Sequence, residues 1–244
     1  MPRLLPALLC LLALPWVAPA VSPSSAPAVL PALGPPAICF PLEVTGRTLP
    51  WGDGPMEAAP RYSLQQLQAD LLPLLNSEDT LTRMENLRRS AILLSPLHRA
   101  ASTEERTRQR ERLLSVLRAR VVAAQIDGAS AKQLAPLIFD LGYLQAALAQ
   151  IMSPAAAAPL SHDYGDGAAA LRYAGKHAPQ NGAVQLGLAL GLFDLRQAKV
   201  DREAFLRCAA LVGKDATLRA NLSATAKHFL TRDDYDALVT VLDR

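Results

Sequence analysis

The sequence predicts an all-α fold, an antiparallel array of repeat-like helical hairpins behind an irregular N-terminal arm. Three observations predict it. From residue 63 onward apolar residues recur at steps of three and four, and alternating strand patterns are nearly absent. Capping residues stand just ahead of those stripes, with Gly or Pro just behind them. Ala and Leu, both strong helix formers, dominate a 244-residue chain that is 50% hydrophobic and only 5% aromatic. With 19% charged residues, a net charge of +3 and 3 Cys, the chain does not read as wholly disordered, as a disulfide scaffold or as a globally basic nucleic-acid binder.

The first element is an address. Arg3 is followed by a short apolar run interrupted by prolines, then by Ala18-Pro19-Ala20, with small residues at the two positions that a signal peptidase reads. Residues 1–20 are therefore expected to be a secretory signal peptide cut before Val21. The product would be exported to a periplasm, a cell envelope or the medium. Beyond it no run approaches 18 apolar residues, so no later membrane span is expected. Residues 21–37, rich in Pro, Ala and Ser, read as an exposed linker. Residues 38–62 mix apolar anchors (Phe40, Leu42, Trp51) with turn formers, so an irregular arm is expected, with room for a short edge strand at Ile38–Val44.

The all-α domain is expected over 63–244. Leu64, Leu67, Leu71 and Leu74 start it, and Pro73 should kink or end that helix. Leu81, Met84, Leu87, Ala91 and Leu94 form the next stripe, stopped by Pro96. Ser102-x-x-Glu105 and Ser130-x-x-Gln133 are capping boxes. The helix behind the first should bury Leu113, Leu117, Val121 and Ala124. The helix behind the second should bury Leu137, Leu141, Leu144, Leu148 and Ile151. After a long interruption at 155–167, helices are expected at 168–177, 182–198, 202–212, 216–230 and 232–242. Asn181, Asp201, Asp215 and Thr231 serve as start signals.

Within this last part a 34-residue period relates Leu171 to Phe205, Ala174 to Cys208, Leu188 to Leu222, Ala189 to Ser223 and Pro179 to Gly213. Leu171, Ala174, Pro179, Leu188 and Ala189 together resemble the join between two tetratricopeptide-type helical repeats. The resemblance covers about residues 167–230 and implies paired antiparallel helices. Gln185 stands where that family has an aromatic residue and Asp201 where it has alanine. One period upstream, Leu137 and Asp140 break the pattern.

Chemistry is sparsely signalled. The four histidines, His98, His162, His177 and His228, form no metal-type pair, and no metal or other cofactor is expected. Ordinary surface or helix-end roles suit His98, His177 and His228. Phosphate-loop, dinucleotide and nucleophile-elbow motifs are absent from the sequence. Ser161-His-Asp-Tyr-Gly-Asp-Gly167 is the one polar cluster able to supply a base or hold a cation, and an exported enzyme with a scattered site there is the alternative reading. The simpler one makes Asp163 or Asp166 the cap of the next helix. The two cysteines of the mature chain, Cys39 and Cys208, permit one disulfide after export.

Ten arginines lie between Arg83 and Arg120 against four glutamates. They read as a solvated outer face, with Arg106, Arg108, Arg110 and Arg112 the candidate contacts for a polyanion. No aromatic interleaves with them, so nucleic acid is not expected. The leading functional expectation is a non-catalytic exported module that binds a protein or peptide. Asn221-Leu-Ser223 fits a glycosylation triplet but falls inside a predicted helix and reads as chance.

Overall fold

The computed structural model describes residues 36–51, 62–152, 166–193 and 201–243. Residues 1–35, which include the expected signal peptide and most of the expected linker, and residues 52–61, 153–165, 194–200 and 244 lie outside the described residues. Those described form ten α-helices and no β-strand, so the chain is all-α. After α1 (Pro36–Cys39) a 3-10 turn at Leu64–Gln66 leads into α2 (Leu67–Leu74). Then come α3 (Thr80–Leu93), α4 (Thr103–Ile126), α5 (Ala131–Ile151), α6 (Gly167–His177), α7 (Gly182–Gly191), α8 (Arg202–Leu211), α9 (Ala216–Phe229) and α10 (Arg232–Leu242).

Each of the last eight helices starts on a side chain that accepts an otherwise unpaired first-turn N–H. Asp79 caps α3, Asp166 caps α6, Asn181 caps α7 and Asp215 caps α9. The reciprocal capping box forms at Ser130–Gln133. At Ser102 the serine half forms, its hydroxyl oxygen accepting from Glu105 N–H (3.2 Å). Gly128 takes φ 77° directly after α4, a conformation that side chains resist.

The hub is α5, which packs against α1, α3, α4, α6 and α7. By length and mean hydropathy (1.3) it is long and apolar enough to cross a membrane. Within the fold, 67% of that window is buried, as in a core helix. Because α5 is covered on several sides, one leucine stripe does not describe it. Phe139, Tyr143 and Ala147 are fully buried beside Leu144 and Leu148, while Leu137, Leu141 and Ile151 are half-buried. The crossing with α6 is close. A Cβ at Gly142 would sit 2.8 Å from Ala170 Cβ, and one at Gly167 would sit 3.0 Å from the Ala146 nitrogen.

Two expectations about helix faces are corrected. On α4, Leu113 and Leu117 are buried, but Val121 and Ala124 are only half-buried. Val122 and Ile126 are 50% and 79% exposed, because the packed stretch of this 24-residue helix lies in its middle, at Gln109, Leu113, Leu114 and Leu117. On α3, every residue but Arg89 is buried, including Thr80, Thr82, Arg83, Glu85, Asn86, Arg88 and Ser90. The helix is polar, yet it lies under α1, α2, α5 and α7 and under the arm.

The arm explains that polarity. Its start is corrected by two residues: α1 begins at Pro36, inside the expected linker, and Ala37 and Ile38 are fully buried. No edge strand forms at 38–44, because its backbone groups go to side chains instead. Ala37 N–H donates to Gln150 Oε1 (3.0 Å) and Leu42 N–H to Glu85 Oε2 (3.0 Å). Glu43 N–H donates to Asn221 Oδ1 (2.8 Å), and Asn221 Nδ2 returns a bond to the Glu43 carbonyl (2.8 Å). Leu49 N–H donates to Asn86 Oδ1 (2.8 Å), whose amide donates to the Arg47 carbonyl (3.1 Å). An irregular segment cannot pair its own backbone, so buried amides and charges do it.

Candidate functional site

The arginine-rich stretch divides into unlike groups. Arg88 is fully buried and forks onto Glu85 (2.7 and 2.8 Å) while its third nitrogen reaches the Ile38 carbonyl (2.8 Å). Arg89 Nε shares Glu85 Oε1 with Arg88 (2.8 Å), and Arg89 Nη1 donates to the Leu49 carbonyl (2.6 Å). Trp51 lies 5.3 Å from both guanidinium groups, over its ring face. Arg83 is 5% exposed and pairs with Asp140 (3.0 Å). These three arginines are structural and contradict the expected solvated face. Their apparent surplus of charge is met by Glu85 of α3 itself and Asp140 of α5, with the carbonyls of Ile38 and Leu49 in the arm as further acceptors.

The four candidate polyanion contacts do not converge either. Arg108 and Arg112 are exposed. Arg106 turns inward onto the carbonyls of His98 (3.0 Å) and Ala101, and Arg110 reaches Met152 Sδ (3.9 Å). Residues two apart on a helix point about 200° apart, so a run of alternating arginines splits between its faces.

Cys39 and Cys208 are both free thiols, so the permitted bridge is not formed. Cys39 closes α1, which packs on α3, α5 and α7, whereas Cys208 is buried on α8. Burial pushes the Cys208 thiol up to about 12 and raises that of Cys39, so neither is an activated nucleophile. Of the 161–167 loop, residues 161–165 lie outside the described residues. Asp166 Oδ1 accepts from the N–H groups of Ala168 (2.9 Å) and Ala169 (3.2 Å), which makes it the α6 cap. His98 is buried rather than exposed, and burial lowers its basicity. His177 packs on Tyr173 (4.4 Å) and His228 on Phe40 (4.8 Å). Asn221 of the glycosylation triplet is buried with both amide atoms bonded to the chain. Among the described residues no group of three or more His, Cys, Asp or Glu gathers as a metal site.

A concave feature lies elsewhere. Helix ends distant in sequence meet around an open cleft of about 760 Å3. The start of α3 (Glu78, Asp79, Thr80) forms one wall, and the first two turns of α5 (Lys132, Pro136) another. The α6–α7 turn and the α8–α9 turn complete it, with His177, Gln180, Leu211 and Leu218 among the lining. Its size falls in the range of ordinary ligand sites. The carboxylates of Asp79 and Asp215 and the Asn181 amide oxygen are engaged as caps: Asp79 accepts from Leu81 N–H (3.0 Å), Asn181 from Val184 N–H (3.1 Å) and Asp215 from Leu218 N–H (2.8 Å). They shape the cleft instead of serving as bases. Glu78, Lys132 and Gln180 are exposed at its mouth.

The walls are braced from behind. Arg83 Nε donates to Asp140 Oδ1, Nη1 to the Ser77 carbonyl (2.9 Å) and Nη2 to Thr80 Oγ1 (3.4 Å). Asn181 Nδ2 also donates to Thr80 Oγ1 (3.3 Å), which ties the α7 start to the α3 start. Burial raises the Asp140 carboxyl to about 6 against the opposing pull of Arg83 and, more weakly, of Arg120. Sequence reading named Asn181 and Asp215 as helix starts but missed the cleft, since no motif links residues that meet only through packing. The chain matches no protein-family model, no curated protein and no solved structure.

Proposed function

We propose that the chain is an exported, non-catalytic helical module that binds a peptide or protein segment in the cleft between the helix ends. The cleft carries this reading: it is open, of ligand size, lined by backbone turns and apolar side chains, and its buried-side polar groups are committed to holding its walls. Export is the part drawn from sequence, on Arg3, the apolar run and Ala18-x-Ala20. In this reading residues 167–230 are repeat-like helix hairpins, supported by the packing of α6 on α7, α7 on α8 and α8 on α9.

A displayed random-peptide library panned against the mature protein tests the reading. Selected peptides should bind wild type and Arg112→Ala alike, and should lose Ala183→Trp, which fills the cleft. Failure to select any peptide, or equal binding to the filled variant, overturns it. Intact mass of the exported protein, expected to start at Val21, tests the address.

A further inference from the structure

We propose that Arg83 is the strut that holds the cleft wall at residues 77–80, and that protonation of its counter-charge, Asp140, releases it, so that the mouth of the cleft opens in acid. The proposal rests on the cleft being the binding site, but its geometry stands without a ligand. Arg83 is 5% exposed and spends its fork on three anchors: the Asp140 carboxylate on α5, the carbonyls of Ser77 and Glu78 (2.9 and 3.4 Å) ahead of α3, and Thr80 Oγ1. Glu78, Asp79 and Thr80 line the cleft directly. Thr80 passes the restraint on to Asn181 of the opposite wall. A single guanidinium thus fixes the segment that two walls share.

Among the described residues the charges acting on Asp140 are Arg83 from α3 and Arg120 from α4, although α1, α6 and α7 also pack on α5. Arg83 favours the ionised carboxylate. By reciprocity, protonating the carboxylate weakens the hold on Arg83. Protonation removes the one negative charge paired with this guanidinium, and a buried cation without its counter-charge is strongly disfavoured, so Arg83 loses its main reason to stay. Asp140 itself is 2% exposed and remains in the core when the strut leaves, so acid favours the released state. The sign depends on this point, since a rearrangement that exposed Asp140 to water would be opposed by protonation.

Hydrogen exchange of the full mature chain without ligand, one unit above and one unit below pH 6 and corrected for intrinsic rates, tests this. The amides of Leu81, Thr82 and Arg83, all bonded to Asp79, are the reporters. Their protection should fall roughly tenfold in acid while that of α8–α10 holds. In Asp140→Asn the reporters should be loose at both pH values. Arg83→Lys keeps the charge and loses the fork, and should loosen them at both values even if Asp140→Asn fails to fold. Equal protection of wild type across pH 6, or a pH response that survives in either variant, overturns the proposal. Because no ligand is present, such a result leaves peptide binding to be judged by the panning experiment.

Discussion

The N-terminal part of the body and its C-terminal helices solve the same problem by opposite means. In α8, α9 and α10 the backbone is regular, so Asp201, Asp215 and Thr231 need only cap it, and apart from Asn221 and Thr225 on α9 the buried positions are apolar or small: Ala204, Phe205, Cys208, Leu222, Ala226, Leu238. Two of their ion pairs, Arg207–Glu203 and Arg232–Asp236, lie on the surface, and the third, Arg202–Asp234, is half-exposed between α8 and α10. Around α3 the covering segment is irregular, so its N–H and C=O groups need partners, and a helix that would otherwise be oily carries Glu85, Asn86, Arg88 and Arg89 to meet them. Local regularity lets a core be apolar, and irregularity imports polar side chains into it.

The sharpest way to break this contrast is Glu85→Ala. It strands Arg88 and Arg89 and removes the partner of Leu42 N–H. A cost of about 3–5 kcal/mol is expected in urea unfolding. Removing Glu203, whose pair with Arg207 is exposed, should be near silent in the same assay.

Next in size is the proton effect on global stability. Asp140 has an ordinary value of 3.8 unfolded and about 6 folded, so between these the native state holds more protons. Its contribution is therefore fully present below about pH 4 and is lost as pH rises through 6, an amount of about 3 kcal/mol. Unfolding midpoints of wild type and Asp140→Asn across that window should diverge in slope. Parallel curves would show that the burial of Asp140 is relaxed by water.

Smaller again is Asn221→Ala, which leaves both polar groups of Glu43 without their partner. Destabilisation of about 1–3 kcal/mol is expected, with hydrogen exchange rising at the Glu43 amide. If the loss instead spreads through α9, Asn221 serves its own helix, through its bond to the Thr217 carbonyl, more than the arm. The smallest effect belongs to the paired change Arg108→Ala with Arg112→Ala. These exposed residues should change stability by less than about 0.5 kcal/mol each.

Much of the fold was legible because it is written locally. Stripes and caps place α3, α6, α8, α9 and α10 within a residue or two, as Asp166, Asp201 and Thr231 show. The buried charges were illegible because periodicity assigns Arg and Glu to water. Only the arm, brought to α3 by the fold, reverses that for Arg88 and Glu85. The α4 stripe misled at Val121 because periodicity says which face is apolar and not how far a neighbour extends along it. The cleft was illegible for a related reason: Glu78, Lys132, Gln180 and Leu211 share no motif, and only the meeting of helix ends makes them neighbours.

The reciprocal bonds between Glu43 and Asn221 join residues 178 positions apart. On a ribosome adding about 5–20 residues per second, the arm emerges roughly 10–35 seconds before the amide that receives it. Until then the backbone groups of Glu43 lack their partner, and the earliest-made stretch of the body waits on one of the last. The closing of this clasp is a late event by construction, and a nascent chain halted before residue 221 carries an arm that has nowhere to finish docking.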